Sequence, residues 1–66
     1  MRIQLNGEPR HVAEAITIAV LLGELALDPA RVAVERNLMI VPRSTFADVR
    51  LGEEDRIEIV HFVGGG

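Results

Sequence analysis

Sixty-six residues and no cysteine leave this chain few ways to hold a fold. A domain so short buries a thin core and commonly leans on a disulfide, a metal or very regular packing. Disulfides are impossible here. A metal site has little to draw on, since His11 and His61 stand far apart in sequence with no thiol to complete a ligand set. Regular packing in a single domain must therefore carry the fold, and 48 % apolar residues is an ordinary supply for it.

Charge and aromatic content narrow the function classes. The net charge is −3, acids and bases are scattered, and there is no Trp, no Tyr and only two Phe. With no basic stripe and little to stack on bases, nucleic acid is a disfavoured partner. The longest apolar stretch, around Ile18 to Leu22, is far too short to cross a bilayer. The first residues lack the charged-then-apolar pattern of a signal peptide. Lack of cysteine agrees with a reducing compartment. The chain reads as cytoplasmic, without membrane or nucleic-acid partners.

Met1, Ile3 and Leu5 alternate with Arg2 and Gln4, the pattern of a half-buried strand. Asn6-Gly7 follows, a hairpin signal in which both turn residues tolerate positive φ. The return strand is Glu8 to Val12, although a two-residue turn places Arg10 beside Ile3 on the apolar face. Thr17 is suited to cap a helix. After it, Ile18, Leu21, Leu22 and Leu25 fall at helical spacing on one stripe, and Asp28-Pro29 marks the exit. The outer helix face (Ala19, Val20, Gly23, Glu24) carries one charge. Weak amphipathicity on a small domain accounts for that; a second contact surface is the competing reading.

Val32 to Arg36 alternates and is β-branched, so it reads as a strand. Asn37-Leu38-Met39 is a predicted turn, Ile40-Val41 a short strand stopped by Pro42, and Ser44 to Val49 a loop or short helical turn. Arg56 to Val63 is the last and longest strand. One helix cannot cover both faces of a four- or five-stranded sheet, so one face is left open. A hairpin, a crossover helix and a last strand returning beside the first describe an α+β fold of the β-grasp, or ubiquitin-like, kind. The predicted sheet is mixed, with one main helix packed on one face. The predicted domain spans residues 1–63, with 64–66 a flexible glycine tail.

In the last strand, Ile57 and Ile59 share the face under the helix, and Glu58, Val60 and Phe62 the other. Scattered apolar surface residues are common and need no function. Two on one face of one strand, directly before the tail, favour a partner-docking patch. Leu38 and Met39 are a weaker case, apolar where a turn normally wants polar residues. Gly64, Gly65 and Gly66 follow. Without side chains, Gly64 and Gly65 could thread a narrow channel and set the Gly66 carboxylate in a partner's active site, reaching roughly 10 Å when extended. Ordering them costs about 3–6 kcal/mol. A partner burying about 400 Å² of apolar surface gains on the order of 10 kcal/mol. The tail therefore needs the docking face.

Four segments together resemble the ThiS family of sulfur carriers in thiamine biosynthesis, across essentially the whole chain. They are Met1 to Gly7, Thr17-Ile18 leading into Leu21-Leu22, Ile40-Val41-Pro42-Arg43-Ser44, and Asp55 to Val60 running into Gly64-Gly65-Gly66. The resemblance implies that an ubiquitin-activating-like adenylyltransferase uses ATP to adenylate Gly66. A persulfide donor of the cysteine desulfurase type then supplies sulfur, and the resulting thiocarboxylate serves thiazole synthase. ATP and sulfur arrive through partner enzymes, so no bound cofactor, no metal and no catalytic residue of the chain's own is expected. Three positions depart from the family pattern. Glu54 stands where a glycine is usual, Leu38-Met39 replaces a polar turn, and Phe46 sits where some members have tryptophan.

Other readings stay open at this point. The small subunit of molybdopterin synthase shares fold and tail chemistry but serves a different acceptor; the Ile40 to Ser44 segment and short length favour the thiamine branch. A ubiquitin-like tag forming isopeptide bonds is another, and an interaction module with an inert tail a third. An enzyme would have to be built from His11, His61, Glu53, Glu54 and Asp55, and that acidic run is more simply a solvated turn.

Overall fold

The first and last strands lie side by side and parallel at the centre of the sheet, with Gln4 opposite Arg56 and Leu5 opposite Ile57. This computed structural model describes residues 1–62. Its elements are β1 (Arg2–Leu5), β2 (Glu8–His11), α1 (Ile18–Glu24), β3 (Val32–Arg36), β4 (Met39–Ile40) and β5 (Arg56–His61). Short 3-10 turns at Pro29–Arg31 and Arg43–Thr45 precede β3 and follow β4. The five strands run in the order β2-β1-β5-β3-β4, and every pair but β1–β5 is antiparallel. This is the mixed sheet with one helix on one face that the element order predicts.

Turn chemistry decides the first hairpin. Asn6 and Gly7 take φ values of 50° and 85°, and Leu5 then pairs with Glu8 and Ile3 with Arg10. Arg10 thus sits opposite a fully buried isoleucine, where its Nε is buried without a hydrogen-bond partner among the described residues. The Asn6 side chain extends the central pairing: its Oδ1 accepts the Ile59 N–H at 2.7 Å and its Nδ2 donates to the Ile59 carbonyl at 3.3 Å.

Thr17 caps α1, its hydroxyl accepting the Val20 N–H at 3.2 Å. Ile18, Leu21 and Leu22 are fully buried over the sheet. The helix ends at Glu24, well before the exit that Asp28-Pro29 suggests. Ala26 takes a φ of 57°, and the Leu27 N–H returns to the Leu22 carbonyl at 2.9 Å. That is a left-handed cap built on alanine in place of the usual glycine. Asp28 caps the following 3-10 turn, accepting the Ala30 N–H at 2.9 Å.

Three further differences concern strand ends. Met39 belongs to β4 rather than to the preceding turn, because Asn37 (φ 51°) and Leu38 (φ 72°) close a two-residue hairpin with Arg36 opposite Met39. Val41 follows β4, its N–H bonded to the Val34 carbonyl at 2.9 Å. The last strand ends at His61. The Ser44 to Val49 stretch opens with the second 3-10 turn and turns Phe46 into the core at 5 % exposure.

Candidate functional site

Alternation along β5 gives the sheet two unlike faces. Ile57 is fully buried beneath α1 and Ile59 half-buried, while Glu58 and Val60 point to the open side. Val60 is 61 % exposed and Phe62 51 %, so both apolar side chains stand in solvent as the sequence pattern predicts. Neighbouring strands extend the same face: Val60 pairs with Ala33, and Glu58 pairs with Glu35, which in turn faces Ile40. Ile40 is 67 % exposed and belongs to this patch, although sequence reading does not single it out. The signal was available: counting pleats from Glu35 puts Ile40 on the open side.

Leu38 and Met39 are both exposed but do different things. Leu38 occupies the tip of the β3–β4 hairpin in a left-handed conformation. Met39 lies opposite Arg36, on the helix side of the pleat, where it lines a groove of about 440 Å³ with Val41, Pro42 and Val49. A smaller groove of about 180 Å³ runs between β3 and the second 3-10 turn, lined by Ala33, Ile40, Arg43 and Phe62 among others. The structure thus joins Val60, Phe62 and Ile40 into one patch, sets Leu38 at its margin and turns Met39 away.

The main-chain exit is fixed up to the last described residue. Phe62 N–H donates to the Arg31 carbonyl at 2.8 Å, one step beyond the paired Val32 and His61. Arg43 sits close by, with Nε donating to the Pro29 carbonyl at 2.8 Å and Nη2 to the Val32 carbonyl at 3.4 Å. The tail residues Gly64, Gly65 and Gly66 lie outside the described residues, as does Val63.

The acidic turn before β5 has structural partners. Glu54 adopts a φ of 65°, a left-handed conformation that a glycine would hold without strain. Its carboxylate takes two bonds from Arg2, at 2.6 Å from Nε and 3.1 Å from Nη2. The Arg2 hydrogen bond holds the Glu54 carboxyl below its ordinary pKa. Glu53 accepts the Arg2 main-chain N–H at 2.9 Å, and Asp55 is buried among Arg36, Asn37 and Gly52. His11, Glu53 and Glu54 line one open depression of about 570 Å³ with Met1 and Arg2, but no hydroxyl or thiol nucleophile stands among them. His61 lies elsewhere, opposite Val32. Among the described residues, no three His, Cys, Asp or Glu side chains gather to hold a metal, and no helix is long and apolar enough to cross a membrane.

Comparison with known proteins agrees with this fold. The sequence profile of the ThiS family matches residues 3–66. The sulfur carrier protein ThiS of Bacillus subtilis is 43 % identical over 65 residues, covering 97 % of this chain and 98 % of that protein. A thiazole synthase of Paramagnetospirillum magneticum is 50 % identical over 66 residues, all of this chain but 20 % of its own length. This chain therefore spans about a fifth of that relative. Among solved structures, the thiamine biosynthesis protein ThiS of Geobacter metallireducens superposes with a TM-score of 0.86 at 32 % identity, covering both chains completely.

Proposed function

The chain belongs to the ThiS family, and from that premise we propose that it is a sulfur carrier of thiamine biosynthesis whose cargo rides on the Gly66 carboxylate. The observation that carries this reading is the extent of the family match, which runs through Gly64, Gly65 and Gly66. The face bearing Val60, Phe62 and Ile40 supports it by offering a partner apolar area at the base of that segment.

A carboxylate is a poor electrophile, and adenylation corrects that. An ubiquitin-activating-like enzyme joins Gly66 to AMP from ATP with release of pyrophosphate. The terminal sulfur of a persulfide then attacks the acyl carbon and AMP departs. A thiol cleaves the remaining S–S bond, leaving the thiocarboxylate and a disulfide. ATP and sulfur are supplied by the partners, so the chain holds no cofactor and performs no catalysis of its own. The acceptor is a thiazole synthase, a choice supported by the relative of that name that contains a segment like this chain. The setting is cytoplasmic. All seven basic residues are arginine, so the chain offers no side-chain amine on which copies of itself could be conjugated.

Intact mass after incubation with a ThiS-activating enzyme, ATP and a persulfide source tests this. The expected gain is that of one oxygen replaced by sulfur, absent when Gly66 is deleted. No gain, with the enzymes shown active on another carrier, sinks the carrier reading and leaves an interaction module.

A further inference from the structure

We propose that Arg43 is a positioning residue for the reacting end of the chain, acting through the Pro29–Val32 segment. The proposal rests on the sulfur-carrier reading above. Arg43 reaches back to bond the Pro29 carbonyl at 2.8 Å and the Val32 carbonyl at 3.4 Å. Between those two residues lies Arg31, whose carbonyl accepts the Phe62 N–H at 2.8 Å. One guanidinium therefore grips both sides of the residue that ties down the last described main-chain donor before the glycines.

The grip joins parts of the fold that local bonding leaves separate. Asp28 holds the Pro29–Arg31 turn from within, accepting the Ala30 N–H on its side chain and the Arg31 N–H on its carbonyl, each at 2.9 Å. Arg43 fixes that turn to the segment following β4. Arg43 and Phe62 also line one groove with Ala33 and Ile40, which links the exit of the chain to the docking face. Two carbonyls at different heights suit the forked donors of arginine, whereas a lysine ammonium is a compact point donor.

A fixed starting point makes the position consequential. Freedom at Phe62 adds to the ordering that a partner must supply before the carboxylate can react, and misplacement of about 1 Å can cost on the order of 100-fold in rate. The docking side chains Val60, Ile40 and Phe62 are all retained in an Arg43 variant, which frees only the main chain at Phe62, so the loss falls mainly on kcat rather than KM.

The test compares Arg43→Ala and Arg43→Lys with Arg50→Ala, which also removes an arginine bond to a main-chain carbonyl, that of Ala15 at 3.2 Å. Amide exchange at Phe62 and the kcat and KM of ATP-dependent activation are measured on the intact chain. Arg43→Ala is expected to lose Phe62 protection and to lower kcat by about 10- to 100-fold, with KM within about twofold. Arg43→Lys should fall between it and the wild type. Arg50→Ala should leave Phe62 protection, kcat and KM alone. Unchanged kcat in Arg43→Ala overturns the proposal, as does an equal loss in Arg50→Ala at matched stability. Should Arg43→Ala fail to fold, the same readouts on Arg43→Lys decide. Lack of turnover by the wild-type chain sinks the carrier reading and this proposal together, whereas normal wild-type turnover beside an unaffected Arg43→Ala sinks this proposal alone.

Discussion

Asp55 and Arg36 meet at 2.8 Å, Oδ2 to Nε, and pin the end of β3 to the residue just before β5. The same carboxylate accepts the Gly52 N–H at 2.7 Å and the Asn37 side chain at 3.2 Å. Burial pushes this carboxyl up, but the Gly52, Asn37 and Arg36 donors outweigh it and hold the pKa below the ordinary value. A folded pKa beneath the unfolded one stabilises the fold above the unfolded value, about 3.9, and that contribution is lost as pH falls through the folded value. Asp55→Asn should cost about 1–2 kcal/mol at pH 7, since it strands donors that now have an anion. It should also flatten the fall in stability below about pH 4. Unfolding curves of both proteins between pH 2 and 7 check this; equal acid slopes would remove Asp55 from the response.

Leu38 holds a φ of 72° at 76 % exposure, a left-handed position occupied by a large apolar side chain in solvent. Neither fact helps the isolated fold. Leu38→Gly keeps the two-residue turn and should stabilise the domain by about 0.5–1 kcal/mol, a rise of a few degrees in thermal midpoint. If Leu38 is retained for docking, the same change should weaken binding to the activating enzyme several-fold. A more stable variant that binds as well as the wild type would take Leu38 off the interface.

The two faces of β5 make opposite predictions. Ile57→Ala empties a fully buried site and should cost about 2–5 kcal/mol, enough to unfold much of a domain this small. Val60→Ala and Phe62→Ala touch exposed side chains, so their melts should stay near the wild type while docking weakens. Paired melts and binding titrations separate the cases. A Val60→Ala melt as depressed as that of Ile57→Ala would mean that Val60 packs internally.

What was legible in the sequence follows from where local chemistry decides the outcome. Asn6-Gly7 admits a tight turn that forces the β1–β2 register even though it sets Arg10 beside Ile3. Alternation in β5 gave both faces correctly, because a pleat repeats every second residue. The helix end was not visible, since its left-handed cap is Ala26 and nothing in the composition distinguishes that alanine from its neighbours. Met39 looks like turn in the sequence for the matching reason: Leu38 fills a position where a glycine would mark the hairpin. Arg43 could not be assigned at all, because its partners are main-chain carbonyls, which have no sequence signature.

Glu35 and Glu58 are directly paired across β3 and β5 on the open face, beside Val60 and Ile40. Cross-strand neighbours of this kind have Cβ atoms about 4.5–5.5 Å apart, so two carboxylates repel. Among the described residues neither glutamate has an ion pair. Glu58→Gln should therefore stabilise the free chain by a few tenths of a kcal/mol at low salt, an effect that fades as added salt screens the pair. A pair that costs the free fold is explained if a partner's arginine or lysine covers it on docking. In that case Glu58→Gln slows association with the activating enzyme and reduces its dependence on ionic strength. Association rates of both proteins across a salt series decide: parallel lines of equal height would place Glu58 outside the docked surface and confine contact to the apolar end near Phe62.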